Sequence, residues 1–146
     1  MGHRETVLAQ PGSFEILVER EFDAPCELVF RAHVDPEIFS KWYGCHAMST
    51  RIERFESQTG GSYRFFQRIG SEPEGACHGM FHEVAVASRI VKTVESAENP
   101  GRVCLETTRF EAKAANRTRV TKQLLFQSLR DRDQMVEFGV GRFHLS

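Results

Sequence analysis

Cysteine and histidine stand side by side at two places in the sequence, where they could bind a metal ion or supply a nucleophile and its base. The pairs are Cys45-His46 and Cys77-His78, and His82 follows His78 by four residues. Adjacent residues of a strand point to opposite faces, so neither pair chelates a metal readily. On a strand, His78 and His82 share a face but lie roughly 13 Å apart. The spacing therefore predicts no metal site.

Catalysis needs a nucleophile or an acid–base pair in contact with an orienting group. His82 and Glu83 are the residue types for an acid–base pair, but neighbouring residues of a strand face opposite ways. No spacing in the sequence is diagnostic of a catalytic set. We therefore predict no catalytic residue and favour a binding protein over an enzyme, a question that the sequence leaves open.

Arginine on a strand could hold the carboxylate of a ligand through two parallel hydrogen bonds. Alternation places Arg109 on one face with Leu105 and Thr107, and makes it a candidate for this role. The alternatives are a structural ion pair or plain exposure to solvent. Arg20 falls on the apolar face of the first predicted strand, so it needs a buried partner.

The elements that must position these residues follow from apolar periodicity and turn signals. Apolar residues alternate over 14–22, and proline with helical spacing predicts two short helices, over about 25–33 and from Pro36 to Trp42. Asp35 is the expected N-cap of the second helix. Period-two segments separated by glycine, proline and asparagine predict six further strands, at Met48–Glu56, Tyr63–Ile69, Cys77–Val86, Arg89–Ser96, Val103–Glu111 and Thr118–Gln127. A final helix is predicted over Asp131–Leu145.

Length and composition bound the class of protein. The chain has 146 residues and a net charge of −1, which suits one domain without the basic excess of a general nucleic-acid binder. We expect a flexible polar tail at 1–12 and a single α+β domain at 13–146. No apolar run reaches the length of a membrane span and no secretory signal is visible, so a cytoplasmic protein with reduced thiols is expected.

Several motifs, in order, resemble one family. They are Arg20-Glu21-Phe22-Asp23-Ala24-Pro25, Trp42-Tyr43-Gly44, Gly60-Gly61-Ser62-Tyr63-Arg64-Phe65, His78-Gly79-Met80-Phe81-His82-Glu83-Val84 and Thr118-Arg119-Val120-Thr121. Across about residues 14–141 the chain is similar to the activator of heat-shock protein 90 ATPase homologue-like family. That family belongs to the START-related, helix-grip superfamily of polyketide cyclases and lipid-transfer domains.

The resemblance implies a helix-grip fold, in which a curved antiparallel sheet of about six to seven strands wraps around a C-terminal helix. Two short helices follow the first strand. It also implies a cavity for a hydrophobic or amphipathic small molecule, such as a lipid, without a cofactor. The alternatives are a chaperone-partner module, with a role in the stress response, and a cyclase-like enzyme using the same cavity; a homodimer is left open.

The candidate ligand-binding residues combine the aromatic side chains with polar groups that would orient a ligand. For each aromatic residue, the alternative is a place in the core. The candidates are Phe30, Phe39, Trp42, Tyr63, Phe65, Phe81, His82, Arg109, Met135 and Phe138.

Overall fold

The computed structural model describes residues 5–43 and 48–138. Within these ranges the elements are β1 (Glu5–Leu8), β2 (Glu15–Phe22), α1 (Cys26–Val34), α2 (Pro36–Trp42), β3 (Met48–Phe55), β4 (Ser62–Ile69), β5 (Gly75–Ala85), β6 (Arg89–Ser96), β7 (Val103–Ala114), β8 (Arg117–Leu125) and α3 (Leu129–Phe138).

The strands of the described ranges form one antiparallel sheet in the order β1-β2-β8-β7-β6-β5-β4-β3. Strands β3 to β8 form a meander, because each pairs with the next one along the chain. Strand β2 pairs with β8, and helices α1 and α2 lie in the connection between β2 and β3. The predicted α+β fold, with two short helices ahead of a strand meander and a helix at the end, is confirmed.

The strand count differs from the prediction because of the N-terminal segment. Residues 1–12 were expected to form a tail, whereas Glu5–Leu8 forms β1 and pairs antiparallel with β2, which brings the described sheet to eight strands. Without β1 the backbone of β2 would be an open sheet edge. A carboxylate oxygen of Glu5 also lies 2.8 Å from the Arg20 guanidinium, which supplies the partner that the buried Arg20 needs.

Helices α1 and α2 cover one end of the sheet. The Asp35 carboxylate accepts hydrogen bonds from the backbone N–H groups of Glu37 (2.9 Å) and Ile38 (3.3 Å), and Pro36 occupies the first turn. This is the predicted N-cap, and it satisfies donors that the first helical turn leaves unpaired. The helices bury Phe30 and Phe39 against the strands.

Helix α3 lies over the other end of the sheet. It begins at Leu129, two residues before the predicted start, and the Ser128 hydroxyl accepts a hydrogen bond from the Asp131 N–H at 3.1 Å. The predicted helix continued to Leu145, and its residues 139–145 lie outside the described ranges.

The sheet face that the helices cover, here called the inner face, carries two separate apolar clusters. The larger one lies under α1 and α2 and includes Tyr63 and Phe65 of β4 and Phe81 of β5. The smaller one consists of Ile16, Val18, Leu124 and Phe126, with Met135 of α3 packed against it. The inner face is therefore divided, with one half packed by aromatic rings and the other adjoining α3.

Candidate functional site

A cavity of about 490 Å³ lies between the inner face of the sheet and α3. Its volume is in the range of small-molecule sites, roughly 300–1,000 Å³. Most of the lining is apolar, as such sites require. The apolar part of the lining includes Met48, Val94, Val103, Leu124, Phe126 and Met135.

Four charged side chains cross the inner face on neighbouring strands, and we call them the charged row. They are Arg20 on β2, Lys122 on β8, Glu106 on β7 and Lys92 on β6, and each is at most 9% exposed. The Glu106 carboxylate oxygen Oε2 lies 3.6 Å from Lys92 Nζ and 3.8 Å from Lys122 Nζ. Glu106 also lines the cavity, so the row places a carboxylate at the cavity wall.

Aromatic rings surround the ammonium group of Lys92. Its Nζ lies 5.0 Å from the ring centre of Tyr63, 5.5 Å from that of Phe39, 5.9 Å from that of Tyr43 and 6.0 Å from that of Phe81. Aromatic faces attract a cation at such distances. The aromatic cluster thus stabilises one end of the charged row.

Burial changes the pKa of groups on and beside the charged row. Desolvation lowers the pKa of Lys122 from 10.5 to about 8, and the nearby charges of Lys92 and Arg20 act in the same direction. Burial also lowers the pKa of His33, with a further contribution from Lys122. An ammonium group without its water shell is costly, so the row is an unfavourable arrangement for stability alone.

Two cysteine thiols line the same cavity. Burial raises the pKa of Cys77 to about 11 and that of Cys104 to about 12. Both are therefore protonated near neutral pH and behave as small apolar side chains.

The edge of the cavity carries polar side chains that connect the start of β7 to α3. The Arg102 guanidinium lies 3.6 Å from an Asp131 carboxylate oxygen and donates a hydrogen bond of 3.4 Å to the Gln134 side-chain oxygen. These three residues all line the cavity. The cavity is consequently apolar along its walls and polar at its edge.

The predicted ligand-binding residues fall into distinct places. Met135 lines the cavity, whereas His82 and Arg109 are exposed, and the side chain of Phe138 lies outside what the structure describes. The remaining predicted residues pack in or against the buried aromatic cluster: Phe30, Phe39, Trp42, Tyr63, Phe65 and Phe81.

The polar groups of Trp42 and Tyr63, which could have oriented a ligand, bond to the protein. The Trp42 indole N–H donates to the carbonyl of Ala32 at 2.7 Å, and the Tyr63 hydroxyl donates to the carbonyl of Thr93 at 2.6 Å. In this arrangement both polar groups have partners within the protein.

Sequence reasoning missed Glu106, Lys92 and Lys122, although a signal for each was present. Lys92 stands between Ile90 and Val94, and Lys122 stands between Val120 and Leu124, at positions where alternation requires an apolar residue. Glu106 lies on the same face of its strand as the buried Phe110, and the exposed Arg109 lies on the opposite face. A charge in an apolar alternation marks a buried polar site.

Among the described residues, no cluster of three or more histidine, cysteine, aspartate or glutamate side chains that could hold a metal ion is present. In the same part of the chain, no helix is long and apolar enough to cross a membrane.

Solved structures with the same fold come from several bacteria. The solution structure of a protein from Arthrobacter aurescens has 19% identity and a TM-score of 0.85, and the match covers 94% of this chain and 83% of that one. The crystal structure of protein Ms6760 from Mycobacterium smegmatis has 19% identity and a TM-score of 0.82, covering 94% and 88%. CalU16 from Micromonospora echinospora has 16% identity and a TM-score of 0.63, covering 97% and 79%. At these identities the likeness shows the helix-grip fold alone.

Comparison at the level of sequence gives the family. No curated protein matches the chain. The model of one family, described as "Activator of Hsp90 ATPase homolog 1-like protein", matches residues 23–144. This match includes α1, α2, the strands β3 to β8 and α3, and all residues that line the cavity lie within it. The chain therefore belongs to the family of Activator of Hsp90 ATPase homolog 1-like proteins.

Proposed function

We propose that this protein binds a hydrophobic or amphipathic small molecule in the cavity between the inner face of the sheet and α3. The observation that carries the proposal is a cavity of about 490 Å³ whose largely apolar lining includes one buried carboxylate, that of Glu106. Burial of apolar ligand surface provides the affinity, at about 25 cal/mol per Å² before the costs of association. A few polar groups at fixed positions give the orientation.

The aromatic residues predicted from the sequence have an indirect role in this proposal. Phe39, Tyr63 and Phe81 surround the Lys92 ammonium, which in turn pairs with Glu106. They position the carboxylate at the cavity wall, while Met135 contacts the ligand from α3.

The test uses native mass spectrometry of the untagged protein, purified gently from its own host, beside a denatured spectrum of the same sample. A non-covalent adduct that disappears on denaturation gives the mass of the ligand. The same spectra report whether the protein is a monomer or a dimer. In parallel, a titration with the neutral dye Nile red measures whether the cavity accepts an apolar molecule.

Two variants of neighbouring residues on α3 locate the binding. Met135→Trp fills the cavity from the helix, and we expect it to abolish the adduct and weaken dye binding at least tenfold. Val136→Trp is the matched control, because Val136 is 41% exposed and does not line the cavity, so binding is retained. A wild-type protein with neither adduct nor dye binding would disprove the proposal.

A further inference from the structure

The amine of Lys122 lies directly behind the wall of the cavity. Lys122 Nζ is 3.8 Å from the Oε2 atom of Glu106, and Glu106 is part of the cavity lining. Leu124, which follows Lys122 on the same face of β8, also lines the cavity. The four-carbon stem of a lysine is flexible, so rotation about its bonds brings Nζ from this contact to the cavity surface.

The charges of the row favour the neutral form of the Lys122 amine. The row contains three cations and one carboxylate, and Lys92 and Lys122 share that carboxylate. Desolvation and the like charges of Lys92 and Arg20 outweigh the attraction to Glu106 and lower the pKa of Lys122 to about 8. An amine that is buried beside other cations is an activated nucleophile, because more of it has a free electron pair at neutral pH.

Lys92 differs from Lys122 in its surroundings. Its Nζ lies 5.0 Å from the ring centre of Tyr63 and 5.5 Å from that of Phe39, and such rings stabilise the charged form of an amine. Lys92 is therefore the fixed cation of the pair. Its repulsion makes Lys122 the amine that gives up a proton.

We propose that Lys122 binds an apolar aldehyde or ketone covalently, as an imine, at the end of the cavity where Glu106 lies. This inference rests on the proposed function, since the carbonyl compound occupies the same cavity. The apolar tail of the compound packs against the lining that includes Val94 and Met135.

The imine forms in two steps. The free electron pair of Nζ forms a bond to the carbonyl carbon, and the π electrons of the carbonyl group move to its oxygen, which gives a carbinolamine. The bond between carbon and oxygen then breaks as the electron pair of nitrogen forms the C=N bond. Counted from the ammonium form, two of its three protons end on the oxygen, which leaves as water. The product iminium carries the same single positive charge as the ammonium, so the ion pair with Glu106 is kept.

The first test treats the wild-type protein with octanal and cyanoborohydride at pH 7, since cyanoborohydride reduces an imine to a stable secondary amine. Peptide mass spectrometry then measures the labelling rate at Lys41, Lys92, Lys113 and Lys122, which are all the lysines of the chain. We expect Lys122 to be labelled at least about tenfold faster than the exposed Lys113, because each unit by which a pKa is lowered raises the neutral fraction about tenfold.

Labelling of Lys122 no faster than that of Lys113 overturns the inference. If Nile red still binds to the protein in that case, the cavity proposal stands. If the dye does not bind either, both proposals fall.

The second test asks whether octanal reaches Lys122 through the cavity. Met135→Trp fills the cavity, and we expect it to slow the labelling of Lys122 at least tenfold and to leave Lys113 unchanged. Val136→Trp is the matched control, in which Lys122 keeps the wild-type rate. Equal rates at Lys122 in the two variants would show that the reaction does not use the cavity and would overturn the inference. The comparison of Lys122 with Lys113 within the wild-type protein decides the role of Lys122 even where a variant does not fold.

Discussion

Replacing the buried Lys122 by methionine is expected to stabilise the protein. Methionine keeps most of the volume and the unbranched shape of the side chain and removes the ammonium group. The ammonium lies in a nearly water-free position, with the side chain 3% exposed, and shares the Glu106 carboxylate with Lys92. After the substitution, Glu106 keeps Lys92 as its partner at 3.6 Å.

The magnitude follows from proton linkage. The pKa of Lys122 falls from 10.5 to about 8 on folding, because burial outweighs the opposing attraction to Glu106, and the charges of Lys92 and Arg20 lower the pKa further. At about 1.4 kcal/mol per pKa unit, the charged lysine costs the folded state about 3 kcal/mol at neutral pH. Between pH 8 and 10.5 the unfolded chain binds more protons at this site than the folded one, so its contribution to the free energy of unfolding rises with pH. The rise from pH 8 to pH 9 is about 1 kcal/mol.

Urea unfolding at pH 7, 8 and 9 measures both effects. We expect the free energy of unfolding of Lys122→Met to be about 2–3 kcal/mol higher than that of the wild type at pH 7. This difference in free energy should become about 1 kcal/mol smaller between pH 8 and 9. Comparison with wild type at each pH matters because Cys77 and Cys104 have raised pKa values, and their contribution to stability falls as pH rises above 9.

The control is Lys113→Met, at an exposed position of β7, for which the free energy of unfolding should change by less than about 1 kcal/mol at every pH. A Lys122→Met protein that is less stable than the wild type at pH 7 would refute the reasoning. That result would mean that attraction to Glu106 outweighs the cost of desolvating the ammonium group.

Two further predictions concern the scaffold around the site, and urea unfolding checks both. Thr118→Val should lower the free energy of unfolding by about 1–3 kcal/mol. The fully buried Thr118 hydroxyl donates to the Ala24 carbonyl at 2.8 Å, and valine leaves that carbonyl unpaired. An unchanged urea midpoint would show that the carbonyl finds another donor. Asp35→Ala should lower the free energy of unfolding by about 1 kcal/mol, because the N-cap of α2 is lost. Asp35→Asn should retain most of the stability, since an amide oxygen also caps a helix. Equal losses of stability in both variants would contradict the capping explanation.

The sequence predicted the elements of this fold well where alternation and capping are local properties. The β6 bounds Arg89–Ser96 and the cap at Asp35 are found in the structure as predicted. Strand β1 was missed because four exposed residues carry no burial pattern, and the strand depends on pairing with β2, which is a tertiary property.

The site was harder to predict than the fold for a physical reason. Periodicity assigns a residue to a face, but it does not say which end of that face a helix packs and which end stays open. Phe39 and Phe81 were therefore indistinguishable in the sequence from cavity residues, whereas in the structure both are buried in the aromatic cluster. The sequence shows Lys92 and Glu106 as charged residues at positions where the alternation along a strand requires an apolar one. Their mutual contact, however, depends on the register between β6 and β7.

The charged row explains how one small sheet can hold a packed core and a cavity side by side. If the inner face were apolar throughout, α3 and the sheet could collapse onto each other and gain about 25 cal/mol for each Å² removed from water. Lys92, Glu106 and Lys122 resist that collapse, because each must keep its ion-pair partners when water is excluded. The aromatic cluster then packs on one side of the row, and the cavity lies on the other. An arrangement that lowers stability persists where it serves binding, and the cost predicted for Lys122 is the stability lost by keeping a cavity open beside the packed core.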